Sequence, residues 1–299
     1  MRFTPHHLRV GTERNAVGGQ ALLIVRSAVK RRAGLVIAVF LLGSLPLGAP
    51  AASQTPALPT RMAAIGDSIT MATNVCCFYG SRPRHSWSIG WDPDDQVRSH
   101  YERILTIQPS IAGHNHNDAR AGARMADARR QAVQAVSQQA HYVTILLGAN
   151  DLCTSSPETM TSVATFRTGF RAALDTLTSG LPRARILVSS IPNIHRLWSI
   201  YRDNPIARLV WESANICQSM LSSTNTAEDR HRVVARERAF NDVLANVCAA
   251  YVRCRFDGGA VYGYRFQPDQ VSKLDYFHPN REGQRVIASL TWTRSWWAA

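Results

Sequence analysis

The sequence predicts an α/β fold: a three-layer α/β/α protein with a central, mostly parallel sheet of five strands. Two observations carry this prediction. Short apolar runs such as Tyr142–Leu147 and Arg185–Ser189 have the composition of strands that are buried on both faces. Longer stretches with apolar residues at helical spacing, such as Ser162–Leu177, lie between these runs. Strands that alternate with helices form parallel sheets that helices cover on both sides.

The predicted strands differ in the strength of their pattern. Most of them are apolar and rich in β-branched residues, but the second contains polar residues and is weak. In chain order they are Arg61–Ile65, Ser110–His114, Tyr142–Leu147, Arg185–Ser189 and Tyr251–Phe256.

Four helices follow from apolar residues that recur at helical spacing. The helix over Ser162–Leu177 is preceded by Ser155, Ser156 and Pro157, a combination that favours a helix start. The predicted helices are Arg124–Gln139, Ser162–Leu177, Ala227–Val247 and Asn280–Thr291.

The amino-terminal segment has the pattern of an export signal. Three basic residues, Lys30 to Arg32, precede an apolar run from Ala33 to Leu47, and a small-x-small pattern follows. The run is short for a membrane span, which needs about 20 apolar residues. We therefore predict a Sec-type signal peptide with a long n-region at residues 1–51, a linker at 52–57 and one domain at 58–299. Secretion is the expected outcome; an uncleaved signal that anchors the protein to the membrane is the alternative.

The charge of the chain argues against nucleic-acid binding. The formal net charge is +13, but residues 1–51 carry seven of the basic residues and one acidic residue. The remainder keeps 27 basic and 20 acidic residues and has no dense Lys/Arg tract with interleaved aromatic residues. An arginine-biased composition explains this excess better than a functional basic face does.

The six cysteines predict disulfides rather than a metal site. An even number in an exported chain is compatible with up to three bridges. Cys248–Cys254 is the favoured local pair, whereas the adjacent Cys76 and Cys77 are not expected to bridge each other. No CxxC spacing is present, and the His114-x-His116 pair has no third ligand, so no metal or cofactor is expected.

One pentapeptide, Gly66 to Thr70, places a serine directly after the first predicted strand. A serine on a tight turn at a strand end is presented as a nucleophile. Three polar motifs follow downstream: Asn117 to Gly122, Gly148 to Asp151, and Asp275 to His278. Reactive groups of a parallel sheet gather at the carboxyl ends of its strands, so we expect Ser68, Gly122 and Asn150 to lie at one edge.

These four motifs, in this order, resemble the SGNH (GDSL) hydrolase family, and most closely its phospholipase-B-like branch of secreted bacterial lipases and esterases. The resemblance implies a flavodoxin-like fold and hydrolysis of carboxylic esters. It also implies an oxyanion hole formed by the backbone N–H of Ser68, the backbone N–H of Gly122 and the side-chain amide of Asn150. The chain departs from the family in having Ala121, where serine is frequent, before Gly122.

The chemistry of ester cleavage assigns the remaining roles. Ser68 is the nucleophile, and His278 is the base that removes its proton. Asp275, three residues before His278, is the acid that orients the imidazole. Asp67 is a competing acid, but adjacent side chains project in different directions, which disfavours it.

The substrate and its contacts are less constrained. The segment that contains Trp198 and Tyr201 is interpreted either as a flap that binds substrate or as ordinary core. We expect a small-molecule or lipid ester as substrate, a transient contact with a lipid surface, no nucleic acid and a monomeric protein. The alternatives are a carbohydrate O-acetyl esterase and a non-catalytic surface-binding protein on the same fold.

Overall fold

The computed structural model describes residues 55–298. The predicted signal peptide, residues 1–51, lies outside these residues, as does the beginning of the linker. The described residues hold a five-stranded sheet with the order β2-β1-β3-β4-β5, and every strand pairing is parallel. The strands are β1 Met62–Gly66, β2 Asn115–Asn117, β3 Tyr142–Leu146, β4 Arg185–Val188 and β5 Cys254–Phe256.

Helices cover both faces of this sheet, which confirms the three-layer prediction. They are α1 His100–Leu105, α2 Ala128–Ser137, α3 Ala149–Leu152, α4 Val163–Gly180, α5 Ile194–Tyr201, α6 Pro205–Ser213, α7 Gln218–Leu221, α8 Ala227–Cys248, α9 Ala260–Gly263 and α10 Arg281–Trp292. None of the helices in this part of the chain is both long and apolar enough to cross a membrane.

Alternating side chains of the strands feed two different cores. On β1, Ala63 and Ile65 pack with apolar residues of α2, α4 and α8. Met62 and Ala64 point to the other face and pack with Ile104 of α1 and neighbouring aromatic residues. This alternation follows from the period of two in a strand, and it explains why β1 is buried at every position.

The second strand corrects the prediction. The segment predicted as a strand, Ser110–His114, begins with part of a 3₁₀ helix at Pro109–Ile111, and β2 follows at Asn115–Asn117. Proline favours such a tight turn because its φ is fixed and it has no N–H. The strand itself is half-buried and polar, and it is defined by its pairing with Met62–Ala64 rather than by an apolar pattern.

The helix ends follow from side-chain caps. Ser162 accepts a hydrogen bond from the backbone N–H of Thr165 and begins α4, whereas Pro157 begins only a 3₁₀ helix at Pro157–Thr159. The side chain of Asn280 accepts a hydrogen bond from the backbone N–H of Gly283 and begins α10. The start of the predicted helix Ser162–Leu177 is therefore confirmed to within one residue, and Pro157 begins a separate 3₁₀ turn upstream of it.

The described residues contain two disulfides, where the sequence allowed up to three. The bridge Cys248–Cys254 joins the end of α8 to β5, as the spacing favoured. The bridge Cys153–Cys217 joins residues 64 positions apart and was not predicted. Cys76 and Cys77 are free.

Candidate active site

The nucleophile candidate, Ser68, lies two residues beyond the carboxyl end of β1, and its residue surface is 8% exposed. The turn needs a glycine at position 66, because a Cβ there would lie 2.3 Å from Oγ1 of Thr70 and 2.8 Å from the carbonyl oxygen of Leu146. The side chain of Gln131 also fixes this turn. Its Oε1 accepts from the N–H of Gly66 at 2.8 Å and its Nε2 donates to the carbonyl of Gly66 at 3.0 Å.

The base candidate is held by its predicted carboxylate. Nδ1 of His278 lies 2.6 Å from Oδ2 of Asp275. Oδ1 of Asp275 accepts hydrogen bonds from the backbone N–H groups of Phe277 and His278, at 2.9 and 3.0 Å. A hydrogen bond from Nδ1 to the carboxylate leaves Nε2 as the basic nitrogen of the ring.

A residue that sequence reasoning missed completes this pair. Nδ2 of Asn74 donates to Oδ2 of Asp275 at 2.6 Å, and Oδ1 of Asn74 accepts from the N–H of Gly80 at 2.8 Å. Burial raises the pKa of Asp275, but the hydrogen bond and charge of His278, together with the amide of Asn74, outweigh it and hold the pKa below its usual value. Asp275 is therefore an ionised partner for the imidazole.

The imidazole has one nitrogen left for chemistry. Nε2 of His278 is buried and has no hydrogen-bond partner among residues 55–298. Ser68 and His278 line the same pocket, which measures about 510 Å³. Hydrogen bonds between catalytic groups are frequently long before substrate binds, so this geometry is compatible with a Ser68–His278 pair.

The oxyanion candidates line this pocket as well. Gly122 lines the pocket and has a φ of +78°, a left-handed conformation that favours glycine. Nδ2 of Asn150, at the start of α3, donates to the carbonyl of Ala123 at 3.0 Å, which leaves its second N–H free to donate elsewhere. Oδ2 of Asp151 accepts from the N–H of Met125 at 2.8 Å. Two neighbouring residues of α3 thus secure the loop that contains Gly122.

The competing acid does not contact the imidazole. Asp67 is fully buried, and its Oδ1 accepts a hydrogen bond from the N–H of Ile69 at 2.9 Å. Burial raises its pKa to about 7, although the N–H of Ile69 and the charge of His278 act in the opposite direction. Asp67 therefore shapes the nucleophile turn, and Asp275 is the acid that binds His278.

The structure does not bring Trp198 and Tyr201 to the pocket. Tyr201 is 3% exposed, and its hydroxyl donates to the carbonyl of Pro268 at 2.8 Å. Trp198 lines a separate pocket and packs against the guanidinium groups of Arg202 and Arg230, at 5.3 and 4.5 Å from its ring centre. Both residues therefore lie outside the pocket of Ser68, and the contacts that they make from α5 are packing contacts.

One further cluster has the residue types of a metal site. Nδ1 of His85 lies 2.6 Å from Asp95 and 3.5 Å from Asp92. Arg84 forms an ion pair with Asp92 and already balances its charge. These residues do not line the pocket of Ser68, and their contacts are those of an ion-pair network.

Comparison with known proteins identifies the family. Residues 64–286 match the model of the GDSL-like Lipase/Acylhydrolase family. The chain belongs to this family. This is the family that the four motifs resemble, that of the SGNH (GDSL) hydrolases.

Relatives of this GDSL-like hydrolase include "Phospholipase B1, membrane-associated" of Rattus norvegicus, 25% identical over 217 residues. The match covers 60% of the chain but only 15% of that protein. Solved structures that resemble it include LAE5, from the metagenome of Lake Arreo, with 15% identity and a TM-score of 0.49, which covers 77% of this chain and 92% of that one. TesA, with 14% identity and a TM-score of 0.43, covers 78% of this chain and 97% of that one.

Proposed function

We propose that this GDSL-like hydrolase is a secreted serine esterase or lipase that cleaves carboxylic esters through an acyl-enzyme on Ser68. The observation that carries the proposal is the convergence of Ser68, Gly122, Asn150, Asp275 and His278 on one pocket. These residues come from four separate segments of the sequence. They supply the nucleophile, the base, the orienting acid and the oxyanion donors that acyl transfer needs.

The reaction proceeds in two halves. Oγ of Ser68 attacks the ester carbonyl while Nε2 of His278 takes its proton. The N–H groups of Ser68 and Gly122 and the amide of Asn150 bind the oxyanion. When this intermediate collapses, the C–O bond breaks and His278 returns the proton to the leaving alcohol. Water, deprotonated by the same imidazole, then attacks the acyl-enzyme and releases the acid.

The preferred substrate is a fatty-acyl ester, including a phospholipid. A pocket of about 510 Å³ is much larger than an acetyl group requires. Its wall includes apolar residues, among them Val210, Ile216 and Phe277. The rat relative is named a phospholipase, which also supports a lipid substrate. A carbohydrate O-acetyl esterase would instead show a sharp preference for acetyl groups.

A panel of p-nitrophenyl esters, from acetate to long-chain acyl groups, tests both parts of the proposal. We expect kcat/KM to rise beyond acetate and Ser68→Ala to lose activity on every ester. Ser137→Ala, at an exposed position of α2, is the control and should match the wild type. Wild-type rates in Ser68→Ala would contradict the nucleophile, and activity confined to acetate would contradict the lipid substrate.

Export through the predicted signal is the remaining part of the proposal. The described residues begin after that signal, so its test is the amino terminus of the protein recovered from the culture medium of an expressing bacterium. We expect a mature chain that begins near residue 52. Recovery of the whole protein in the membrane fraction, with residues 1–51 attached, would favour the anchored alternative.

A further inference from the structure

We propose that the rim of the Ser68 pocket is a docking surface for an anionic lipid bilayer. This inference rests on the proposed esterase function and deepens it, because it says how the substrate is presented. The rim consists of Phe78 and Tyr79 on one segment and of Ile206 and Leu209 on another. These four residues are half of the large apolar side chains that are exposed in residues 55–298.

Helix α6 supplies one part of the rim. Ala207 and Trp211 are fully buried and fix the inner face of this helix. Ile206 and Leu209 are 59% and 68% exposed, and they share a stripe at helical spacing with Val210. The stripe is continuous with the pocket, because Val210 lines it. An apolar stripe therefore runs from the pocket outward along an exposed helix.

The loop after the nucleophile turn supplies the other part. Phe78 is 74% exposed and Tyr79 is 72% exposed. This exposure is not a sign of a loose segment, because the hydroxyl of Tyr79 donates to the carbonyl of Leu274 at 2.9 Å and the N–H of Asn74 donates to the carbonyl of Gly80 at 2.9 Å. Tyr79 also lines the pocket, as Val210 of α6 does, so this loop and α6 border the same pocket.

The charges around this rim favour an anionic partner. The guanidinium of Arg82 lies 5.7 Å from the ring centre of Phe78, Arg120 is exposed beside the Gly122 loop, and Arg208 is exposed next to Leu209. Within residues 55–298, none of these three arginines forms an ion pair.

Glu212 is the exposed acid on α6, and its carboxylate accepts a hydrogen bond from the N–H of Ser223.

A lipid layer explains the position of this surface better than a protein partner does. Apolar side chains flanked by arginines are the pattern of a surface that enters the headgroup region of a membrane. A protein seated on the rim would close the pocket that lies between its two parts. A lipid layer covers the rim and at the same time supplies ester molecules to the pocket.

Binding to vesicles of ether-linked lipids tests the surface without relying on catalysis, because these lipids contain no ester bond. Wild-type protein is sedimented with vesicles of ether-linked phosphatidylcholine, alone or mixed with ether-linked phosphatidylglycerol. We expect stronger binding to the mixed vesicles and a loss of that gain at high salt. Equal affinity for both vesicles would overturn the anionic preference, and no binding to either would overturn the docking surface.

Substitutions separate this rim from the rest of the surface. Leu209→Asp should reduce binding to the mixed vesicles by roughly tenfold or more, and Phe78→Ser should also reduce it. Arg208→Gln should reduce it by about fivefold. The control is Val252→Asp, which should bind vesicles as the wild type does. Val252 is fully exposed and precedes β5, so it lies at the amino-terminal ends of the parallel strands, away from the Ser68 pocket.

Two further readouts distinguish the possible failures. Hydrolysis of soluble p-nitrophenyl butyrate by Leu209→Asp should stay within about twofold of the wild type, since Leu209 does not line the pocket. Unchanged vesicle binding by Leu209→Asp and Phe78→Ser would overturn the surface while leaving the esterase intact. A wild-type dimer that Leu209→Asp converts to a monomer, measured by light scattering, would assign the rim to a second copy and also overturn the proposal.

Discussion

Among single residues, Asn74 shows how much of the site depends on a side chain with no recognisable motif. It belongs to no periodic pattern and lies six residues after Ser68 in a turn. Its role is visible only because the fold brings Asp275 to it across 201 positions of sequence. The motif residues were predictable because each has a distinctive chemistry at a strand end, whereas an asparagine in a loop is an ordinary turn residue.

We expect Asn74→Ala to lower kcat on a soluble ester by roughly tenfold or more while KM changes little. A hydrogen bond to a charged group contributes about 1.5–3 kcal/mol, and this one positions the acid rather than the substrate. Asn74→Asp is the sharper comparison, because it keeps an oxygen for the N–H of Gly80 but replaces the donor to Asp275 with a carboxylate. Steady-state kinetics and the thermal midpoint of each variant provide the measurement. Wild-type kcat in both folded variants would contradict the positioning role.

At the scale of secondary structure, α8 holds the segment between β4 and α5 through buried polar side chains. Oε1 of Glu237 accepts from the N–H of Ile194 at 3.0 Å, and Oδ1 of Asn241 accepts from the N–H of Ile191 at 2.8 Å. Glu237 is fully buried, and burial raises its pKa from 4.5 to about 8. A raised pKa in an acid means that the folded state retains a proton that the unfolded state releases.

This proton predicts a pH dependence of stability. Below pH 4.5 Glu237 is protonated in both the folded and the unfolded state, so its ionisation does not change the free energy of unfolding. As the pH rises from 4.5 toward 8, only the unfolded state ionises, and the free energy of unfolding falls by at most ~1.4 kcal/mol per pH unit. Glu237→Gln keeps an acceptor for Ile194 and cannot ionise. We expect its advantage in unfolding free energy over the wild type to grow across this range, as measured by urea denaturation. Glu228→Gln, at an exposed position of the same helix, is the control. If the difference in unfolding free energy between Glu237→Gln and the wild type were the same at every pH, the buried proton would be contradicted.

The strands and helices differ in how far sequence predicts them. The strands β1, β3 and β4 appear within one residue of the predicted ends, because apolar runs buried on both faces leave few alternatives. β2 was misplaced because Asn115–Asn117 is polar and becomes a strand only through its pairing with β1. Trp198 and Tyr201 were compatible with either a flap or core by sequence, and only tertiary packing decides between these roles.

For the whole molecule, the two disulfides are expected to contribute unequally. Cys153–Cys217 spans 64 positions and lines the pocket, whereas Cys248–Cys254 spans 6. In the chain-entropy description their contributions are about 4 and about 2 kcal/mol. The paired substitution Cys153→Ala/Cys217→Ala should therefore destabilise the protein more than Cys248→Ala/Cys254→Ala, and it alone should lower kcat. Denaturant unfolding and ester kinetics on both variants measure this, and the reverse order would contradict it.

Four distant loops meet to make the Ser68 hydroxyl a nucleophile, and covalent labelling tests this arrangement most directly. The folded protein is treated with a fluorophosphonate and its peptides are analysed by mass spectrometry. We predict one adduct, on Ser68, that forms roughly 10²-fold or more slowly in His278→Ala and not at all after unfolding. No adduct on Ser68 in the folded wild type, or equal labelling rates with and without His278, would contradict the account.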